Sequence, residues 1–579
     1  MIDFTWKIAG EAGFGIMTSG LSFSKIASRS GYYIFDSIEY PSLIRGGHNA
    51  YQVRVTDKKL SCQKEMIDVL VCLNKDTYEK NKQFLTENSF VIYDKEDFEI
   101  KENFKKIALP IKKVINDFKA SILMRNTLTI GASLALLGGE IEVFLKLIGE
   151  EFAKKGEQVV DFNQKTALAG YNYVKDNYSD KIVNWLDKKS AKEKLVLTGN
   201  DSFSLASIVA DCRLYCAYPM TPSSSVLATL ASWQEKTGMI VRHPEDEISV
   251  INTAIGASFA GIRAAVGTSG GGFSLMVESI SLAGITETPL VIFLGQRPGP
   301  ATGMPTWTEQ GDLLFAIHAG HGEFPKIVLA PGDVEEMFEL TLKAYNLADI
   351  YQTPVIIISD MYLSESHQSI EKELIDKLIS DYQIDRGKLI NNLKTKVENS
   401  NLKIKSFLRY QISNDGISPR LIPGVKGYYY QANSYEHLED GHTTEESLPR
   451  KQQVEKRNRK ITTYLSKDFQ LPKFYGDENA ELVFVSWGSN KGIILEVQKK
   501  LREKNIKTGF WHFSYLYPLD KKKIVSIFKK DKKYILLENN SWGQFGKLLA
   551  AETGIVINDK ILKYDGRQFM PEEILIKLI

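Results

Sequence analysis

The amino-acid sequence predicts an α/β protein built from several domains with parallel sheets. The chain has 579 residues, which allows three to five domains at roughly 100–200 residues each. Apolar residues make up 43% of the chain and charged residues 25%, which is typical of folded globular proteins. Short apolar stretches rich in β-branched or aromatic residues alternate with amphipathic stretches. This is the pattern of strands joined by covering helices.

The first domain is expected to span residues 1–190. An apolar strand at residues 6–9 leads into a glycine turn at 10–15 and a helix at 17–30. Further strands are predicted at residues 32–35, 51–55, 69–73 and 90–93, and a helical stretch at 127–152. Such alternation predicts a parallel sheet with helices on both faces.

A charged linker at residues 177–194 precedes a second α/β domain, which is expected at residues 195–370. Its strands are predicted at residues 214–217, 264–268, 290–294, 327–329 and 354–359. Residues 371–478 are rich in charged and small polar side chains, so we expect an extended connector there. Residues 479–579 form a third α/β unit, with strands predicted at 482–486, 507–512 and 533–538.

Charge and cysteine content exclude several classes of protein. Lys plus Arg is 73 and Asp plus Glu is 71, and this +2 balance argues against a partner nucleic acid or membrane surface. The four cysteines include no C-x-x-C pair, so the chain is not expected to hold an iron–sulfur cluster or a metal of its own. No signal-peptide pattern or 18-residue apolar run is seen, and we therefore expect a cytoplasmic location.

Two N-terminal loops are candidate anion sites. The segment IAGEAGFGI places Gly13 and Gly15 between a strand and a helix, where main-chain N–H groups can face an anion. The segment EYPSLIRGGHNA places Arg45 beside two glycines, and such a cation suits a carboxylate or phosphate. The alternatives are a tight turn without ligand and a surface turn with a structural arginine.

Three segments of the second domain are candidates for ligand contact. In LYCAYPMTPSSS, Thr221 stands between two prolines after a strand, although hydroxyls there are also common helix caps. Glu247 follows two other acidic residues at a helix start, where it either complements the helix dipole or faces inward. Arg297 directly follows a strand in a loop rich in Gly and Pro, which suits a carboxylate clamp or a structural ion pair.

Other features suggest no chemistry. His318 and His321 have a ligand-like spacing without an acidic or cysteine partner nearby, and Cys212 and Cys216 are expected to be buried thiols. The basic cluster at residues 450–460 is interpreted as a solvated helix face. The phosphate-loop, nucleophile-elbow and metalloprotease motifs are all missing.

Several of these segments together resemble a known family. The runs YPMTPSS (218–224), EDEISVINTAIGAS (245–258), TSGGGFSLM (268–276) and GQRPGPATGMPTWTEQGDL (295–313) resemble the alpha subunit of 2-oxoacid:ferredoxin oxidoreductases, especially the 2-oxoglutarate type. The N-terminal GEAGFGI and EYPSLIRGGHNA resemble the gamma domain of that family, here fused ahead of alpha. The likeness covers nearly the whole chain.

The resemblance implies a thiamine-diphosphate enzyme that decarboxylates a 2-oxoacid, passes electrons to ferredoxin and releases an acyl-CoA. Residues 195–370 would be the pyrimidine-binding domain and residues 479–579 a transketolase C-terminal-like domain. Glu247 would be the catalytic glutamate that bonds the aminopyrimidine ring. Thr221 and Arg297 would bind the substrate, and the loops with Gly13, Gly15 and Arg45 would contact CoA or another anion.

Two elements of the family are missing here, namely the magnesium and diphosphate segment and the cluster cysteines. Both belong to the beta subunit, so we expect Mg²⁺ and a [4Fe-4S] cluster in that partner and half an active site in this chain. Met220 and Gly271 depart from the family motif without touching the proposed chemistry. Three alternatives remain, namely a pyruvate, branched-chain or aryl 2-oxoacid enzyme, a catalytically silent scaffold, and a flavin or NAD protein.

Overall fold

The computed structural model describes residues 2–42, 47–118, 121–391 and 405–578. The strands in chain order are β1 (Asp3–Glu11), β2 (Tyr33–Glu39), β3 (His48–Thr56), β4 (Ile67–Cys72), β5 (Leu85–Asp94), β6 (Lys105–Leu109), β7 (Lys194–Leu197), β8 (Cys212–Ala217), β9 (Ile240–Arg242), β10 (Arg263–Ser269), β11 (Leu290–Gln296), β12 (Ile327–Leu329), β13 (Pro354–Asp360), β14 (Gln368–Glu371), β15 (Leu389–Ile390), β16 (Lys405–Ser406), β17 (Arg420–Leu421), β18 (Tyr428–Tyr429), β19 (Lys473–Gly476), β20 (Leu482–Trp487), β21 (Thr508–Phe513), β22 (Tyr515–Tyr517), β23 (Lys533–Glu538) and β24 (Asp559–Leu562). The helices are α1 (Ile16–Arg29), α2 (Lys75–Asn81), α3 (Ile111–Asp117), α4 (Arg125–Leu137), α5 (Ile141–Phe152), α6 (Glu157–Asn177), α7 (Gly199–Val209), α8 (Ser224–Thr237), α9 (Glu247–Phe259), α10 (Gly270–Ile285), α11 (Leu313–His318), α12 (Val334–Tyr351), α13 (Met361–Glu365), α14 (Lys372–Asp381), α15 (Ser447–Lys467), α16 (Asn490–Glu503), α17 (Lys521–Ile527), α18 (Gln544–Thr553) and α19 (Pro571–Leu578).

The chain forms two compact units, and the α/β class is confirmed in both. The first unit comprises Met1–Thr198, Glu365–Lys377 and Met570–Ile579, and the second comprises Gly199–Ser364 and Leu378–Phe569.

The first unit contains one eight-stranded sheet, in the order β6-β5-β4-β1-β3-β2-β14-β7. The expected parallel pairing holds for β1, β4, β5 and β6. The pairings of β3, β2, β14 and β7 are antiparallel. Residues 40–47 are too few for the crossover that a parallel pair of β2 and β3 would need.

Close helix packing covers this sheet. The rings of Trp6 on β1 and Phe23 on α1 stack with their centroids 4.1 Å apart, and the Trp6 Nε1–H donates to Ser133 Oγ on α4 at 3.0 Å. On α4, a Cβ at Gly131 would lie 2.1 Å from the main-chain oxygen of Ala167 on α6. The glycine therefore lets the two helix backbones approach closely.

The second unit contains a seven-stranded sheet in the order β22-β12-β13-β11-β10-β8-β9. All its pairings are parallel except that of β12 with β22. Every residue of β10, β11 and β13 is buried, because helices cover both faces of the sheet. The five strands predicted here between residues 214 and 359 are confirmed.

A five-stranded sheet, in the order β19-β21-β20-β23-β24, forms the C-terminal part of the same unit. Its strands β20, β21, β23 and β24 are parallel, and β19 is antiparallel at the edge. After β21 the chain crosses to the seven-stranded sheet, where β22 pairs with β12. The three strands predicted for this region are confirmed.

The basic cluster at residues 450–460 lies on α15; the predicted solvated face holds for Arg450 and Lys451 but is wrong for Lys456, Arg457 and Lys460, which are buried. Lys456 and Lys460 are 0% and 1% exposed, and both pair with the buried carboxylate of Glu287, Lys460 at 2.6 Å. Lys456 also donates to the Ser418 hydroxyl at 3.0 Å. The cations are inside because a buried carboxylate and polar oxygens replace their water.

Candidate active site

The carboxyl ends of four adjacent strands bring the sequence-predicted residues of the second domain to one edge of the sheet. The strands β11, β10, β8 and β9 are neighbours in that order. Arg297 directly follows β11, the glycines at 270–272 follow β10, Thr221 follows β8, and Glu247 follows β9. In open parallel sheets, ligands bind at this edge.

Glu247 points inward from the first turn of α9. Asp246 caps this helix, since its Oδ1 accepts a hydrogen bond from the N–H of Ser249 at 2.7 Å. The cap places Glu247 on the buried helix face with Val250 and Ile251, and it is only 5% exposed, whereas the adjacent Ile248 is 49% exposed. None of the described residues donates a hydrogen bond to the Glu247 carboxylate.

The glycines at the start of α10 make room for this carboxylate. A Cβ on Gly272 would lie 2.5 Å from Glu247 Oε1 and 2.2 Å from Thr268 Oγ1, which is closer than atoms can approach. Gly271 is exposed, and a Cβ there would meet only the Met220 side chain, at 3.9 Å. The turn therefore has no space for a side chain at Gly272, next to Glu247, but has space for one at Gly271.

Arg297 and Thr221, which sequence reasoning assigned to the same ligand, are in direct contact. The Arg297 Nη1–H donates to the main-chain oxygen of Thr221 at 2.9 Å. Burial lowers the pKa of Arg297, and the nearby charge of Asp312 opposes that shift. The half-buried guanidinium keeps further donors that can receive an anion.

Two acidic residues of the Arg297 loop were missed by sequence reasoning. Burial raises the pKa of Asp312 to about 6, and the charge of Arg297 lowers it in part. Burial and the charge of Asp312 raise the pKa of Glu309 to about 7. Both lie in the motif TWTEQGDL, so the available signal was two carboxyl groups within fifteen residues of the arginine.

The glycine loop of the first unit adopts the conformation that its sequence requires. Gly13 and Gly15 have φ of +89° and +72°, a region that favours glycine. Arg125, at the start of α4, stacks its guanidinium 3.5 Å from the centroid of the Phe14 ring in this loop. No local sequence signal connects Arg125 with the loop. Arg45 lies outside the described residues.

Neither metal centres nor membrane spans were found in the part of the chain that the structure describes. Its His, Cys, Asp and Glu side chains form no group of three that could hold a metal ion. None of its helices combines the length and hydropathy needed to cross a bilayer. Cys212 and Cys216 are buried free thiols, as predicted, and burial raises their pKa values to about 11 and about 12.

Family models match most of the chain in three consecutive parts. The model described as pyruvate flavodoxin/ferredoxin oxidoreductase, thiamine diphosphate-binding, matches residues 205–457. The pyruvate ferredoxin/flavodoxin oxidoreductase model matches residues 5–173, and the transketolase C-terminal domain matches residues 476–555.

Curated relatives match over the full length. The alpha subunit of a 2-oxoacid:ferredoxin oxidoreductase from a Sulfolobus species is 31% identical, over 99% of this chain and 97% of its own. The chain belongs to the 2-oxoacid:ferredoxin oxidoreductase alpha-subunit family. It is thus one subunit of a multi-subunit oxidoreductase. The 2-oxoglutarate oxidoreductase subunit KorA of Mycobacterium tuberculosis is 27% identical, over 98% of this chain and 90% of its own.

One solved structure matches this chain along its length. The 2-oxoglutarate:ferredoxin oxidoreductase from Magnetococcus marinus, with 2-oxoglutarate, coenzyme A and succinyl-CoA bound, superposes with a TM-score of 0.90 at 30% identity. The match covers 100% of this chain and 99% of that one. The predicted resemblance is therefore confirmed.

Residues at the sheet edge fit the thiamine diphosphate that the family model names. Glu247 is a buried residue whose carboxylate has no donor within the described chain, and a carboxylate in such surroundings favours a polar partner. Because residue 272 is a glycine, no side chain at that position covers the Oε1 atom of Glu247. An aminopyrimidine ring supplies a matching nitrogen.

Proposed function

We propose that this chain forms the pyrimidine half of the active site of a 2-oxoglutarate:ferredoxin oxidoreductase, which converts 2-oxoglutarate and CoA into succinyl-CoA and CO₂ and passes two electrons to ferredoxin. A beta subunit would supply Mg²⁺ binding and the [4Fe-4S] cluster. The observation that carries the proposal is the inward-facing side chain of Glu247 at the strand-end edge, where the residue is only 5% exposed.

Glu247 holds a proton in position for the reaction. Thiamine diphosphate, when bound, supplies a carbon nucleophile for the ketone and accepts the electron pair released on decarboxylation. The Glu247 carboxylate is placed to hydrogen-bond a ring nitrogen and to hold the proton on that nitrogen. Desolvation strengthens this coupling, because water does not compete for the carboxylate.

Arg297 and Thr221 would orient the 2-oxoacid. A guanidinium binds a carboxylate through two parallel hydrogen bonds, which fixes the orientation of the substrate as well as its position. The bond from Arg297 to the Thr221 main-chain oxygen holds the guanidinium at the sheet edge. The substrate carboxylate would therefore meet a guanidinium group whose orientation is already fixed.

The choice of 2-oxoglutarate is supported by two relatives, the M. marinus enzyme with bound 2-oxoglutarate and the M. tuberculosis KorA subunit. The carboxylate that Arg297 would bind is common to all 2-oxoacids, so pyruvate, branched-chain and aryl 2-oxoacids are the rival substrates. A panel of these acids, assayed by viologen reduction with and without CoA in the copurified complex, tests the choice. Preference for another acid by kcat/KM would overturn it.

Glu247→Gln tests the catalytic assignment. We expect the variant to copurify with the beta subunit and to lose about 10²–10⁴-fold in kcat, because the uncharged amide holds the proton poorly. Glu245→Gln is the matched control, since Glu245 is exposed just before α9 and its Oε1 accepts a hydrogen bond from the Ser249 hydroxyl at 2.7 Å. Full activity of the Glu247 variant would instead support a catalytically silent scaffold.

We further propose that the glycine loop of the first unit contacts CoA. Gly13, Gly15 and Arg45 were the sequence candidates, and Arg125 adds a cation against Phe14. Its Nε and Nη2 atoms have no hydrogen-bond partner within the described chain. Arg125→Ala is expected to raise the KM for CoA about tenfold without changing the KM for the 2-oxoacid. Arg29→Ala, which removes an exposed arginine of α1, is the control, and unchanged CoA dependence in both variants would contradict the assignment.

A further inference from the structure

Asp312 lies beside Arg297 without bonding to it. The Asp312 N–H donates to the Oε1 atom of Gln296, the residue before Arg297, at 2.9 Å. On its other side, a Cβ on Gly270 would lie 2.7 Å from Asp312 Oδ2. No described residue donates a hydrogen bond to the Asp312 carboxylate.

Two charged side chains among the described residues interact with this carboxylate. Arg297 directly follows β11, and Glu309 lies in the same loop. The packed helix α18 contributes Gln544, which is neutral and donates to the Gly311 main-chain oxygen at 2.6 Å. Arg297 is therefore the cation that lowers the pKa of Asp312, and Glu309 is a second carboxyl beside Asp312.

We propose that Asp312 balances the charge of Arg297 in the substrate-free protein and takes up a proton when the 2-oxoacid binds, so that it sets the pH dependence of substrate affinity. This inference rests on the proposed function, because it takes Arg297 as the ligand of the substrate carboxylate. Asp312 is a positioning residue that acts through Arg297. The proton comes from solvent and returns there when the substrate leaves.

The sign of the effect follows from the charges. A substrate carboxylate on Arg297 adds negative charge and screens the cation, so the pKa of Asp312 must rise from about 6 when the substrate binds. The protonated form therefore binds substrate more tightly. Affinity is highest below pH 6 and falls as the pH rises above that value.

The test uses the assembled complex and two measurements. The KM for 2-oxoglutarate, followed between pH 5.5 and 8.5, should rise about three- to tenfold in the wild type, because a pKa that increases by about one on binding changes the affinity about tenfold. Asp312→Asn keeps the size of the side chain against Gly270 and should flatten this rise. It should also lower the KM at pH 8, with kcat changed less than about twofold.

The second measurement needs no variant. Calorimetry of 2-oxoglutarate binding to the thiamine-free complex at pH 6.5, in two buffers of different ionisation enthalpy, should show an uptake of about half a proton per site. No uptake in the wild type, or an unchanged pH profile in Asp312→Asn, would overturn the role of Asp312. Glu309→Gln serves as the comparison, and loss of the pH dependence there alone would assign the proton to Glu309 and also overturn the proposal.

These failures are distinct from failure of the proposed function. If Arg297→Lys raises the KM while Asp312→Asn leaves the profile unchanged, the substrate site stands and only the proton coupling is lost. If Arg297→Lys leaves the KM unchanged, the substrate assignment itself is wrong, and the inference falls with it.

Discussion

The Arg297 Nη1–H donates a 2.9 Å hydrogen bond to the main-chain oxygen of Thr221, so the loops after β11 and β8 are tied together at the sheet edge. Neither loop contains a helix or strand at that point. The bond fixes the orientation of the guanidinium, and under the proposed function this preorganisation would lower the free energy cost of orienting a substrate carboxylate.

Arg297→Lys is expected to lower kcat/KM for the 2-oxoacid about 10–10²-fold, mainly through KM. An ammonium cannot bond a carboxylate and the Thr221 oxygen with the fixed fork of a guanidinium. Steady-state kinetics of the complex would measure this effect. Arg213→Lys, at an exposed arginine of the same domain, should match the wild type, and equal kinetics for both variants would refute the clamp.

Gly272→Ala should reduce activity and also lower the melting temperature. The new methyl group would overlap both Glu247 Oε1 and Thr268 Oγ1, so the carboxylate or the helix must shift. Gly256→Ala is the matched control, since it lies on α9 with nothing within 4 Å of its added Cβ. Calorimetry of both variants would check this, and a fully active Gly272→Ala enzyme would show that Glu247 tolerates displacement.

Glu287→Gln should destabilise the second unit by about 3–5 kcal/mol, because it leaves Lys456 and Lys460 without a buried counter-charge. Burial alone would raise the pKa of Glu287, but the charges of the two lysines outweigh it and hold that pKa below its ordinary value. Urea unfolding of the full chain measures the loss. Glu455→Gln, in an exposed pair on α15, should change little, and equal stability of the two variants would contradict this account.

Glu365→Gln should change how the stability of the first unit depends on pH. Burial raises the pKa of Glu365 to about 7, while the Tyr40 hydroxyl donates to its Oε2 at 2.5 Å. Because the folded pKa is raised, the folded state binds more protons, and this stabilisation is present below pH 4.5 and lost as the pH rises through 7. The variant should therefore gain up to about 3 kcal/mol over wild type between about pH 5 and pH 8.

Thermal unfolding of the full chain at several pH values measures that gain. Tyr40→Phe removes the hydrogen bond but keeps the carboxyl, so its pH dependence should persist. A Glu365→Gln protein whose stability follows pH as the wild type does would show that the carboxyl is not held protonated.

Sequence patterns predicted the strands of the second unit well, because β11 and β13 are buried on both faces and are therefore mostly apolar. The pattern of α9 alone did not determine whether Glu247 points inward, since it allowed either face. The Asp246 cap sets the helix phase, and only the resemblance to a family singled out the glutamate.

Long-range pairing explains what the sequence did not predict. Lys456 and Lys460 look solvated in the sequence, because their partner Glu287 lies about 170 residues earlier in the chain. Asp312 and Glu309 look like ordinary acidic residues in the sequence, and their raised pKa values arise from burial in the folded loop.

The antiparallel pairing of β2 with β3 could have been predicted from the sequence. The eight residues between these strands leave no room for the crossover helix that a parallel pair needs.

The pairing of β22 with β12 determines how this subunit can be dissected. A fragment that ends before residue 479 would lack β22 and would leave β12 as an unpaired edge strand. Unpaired edge strands of this kind promote aggregation. Truncation aimed at isolating the catalytic half should therefore retain Tyr515–Tyr517, either in the same polypeptide or added in trans as a peptide.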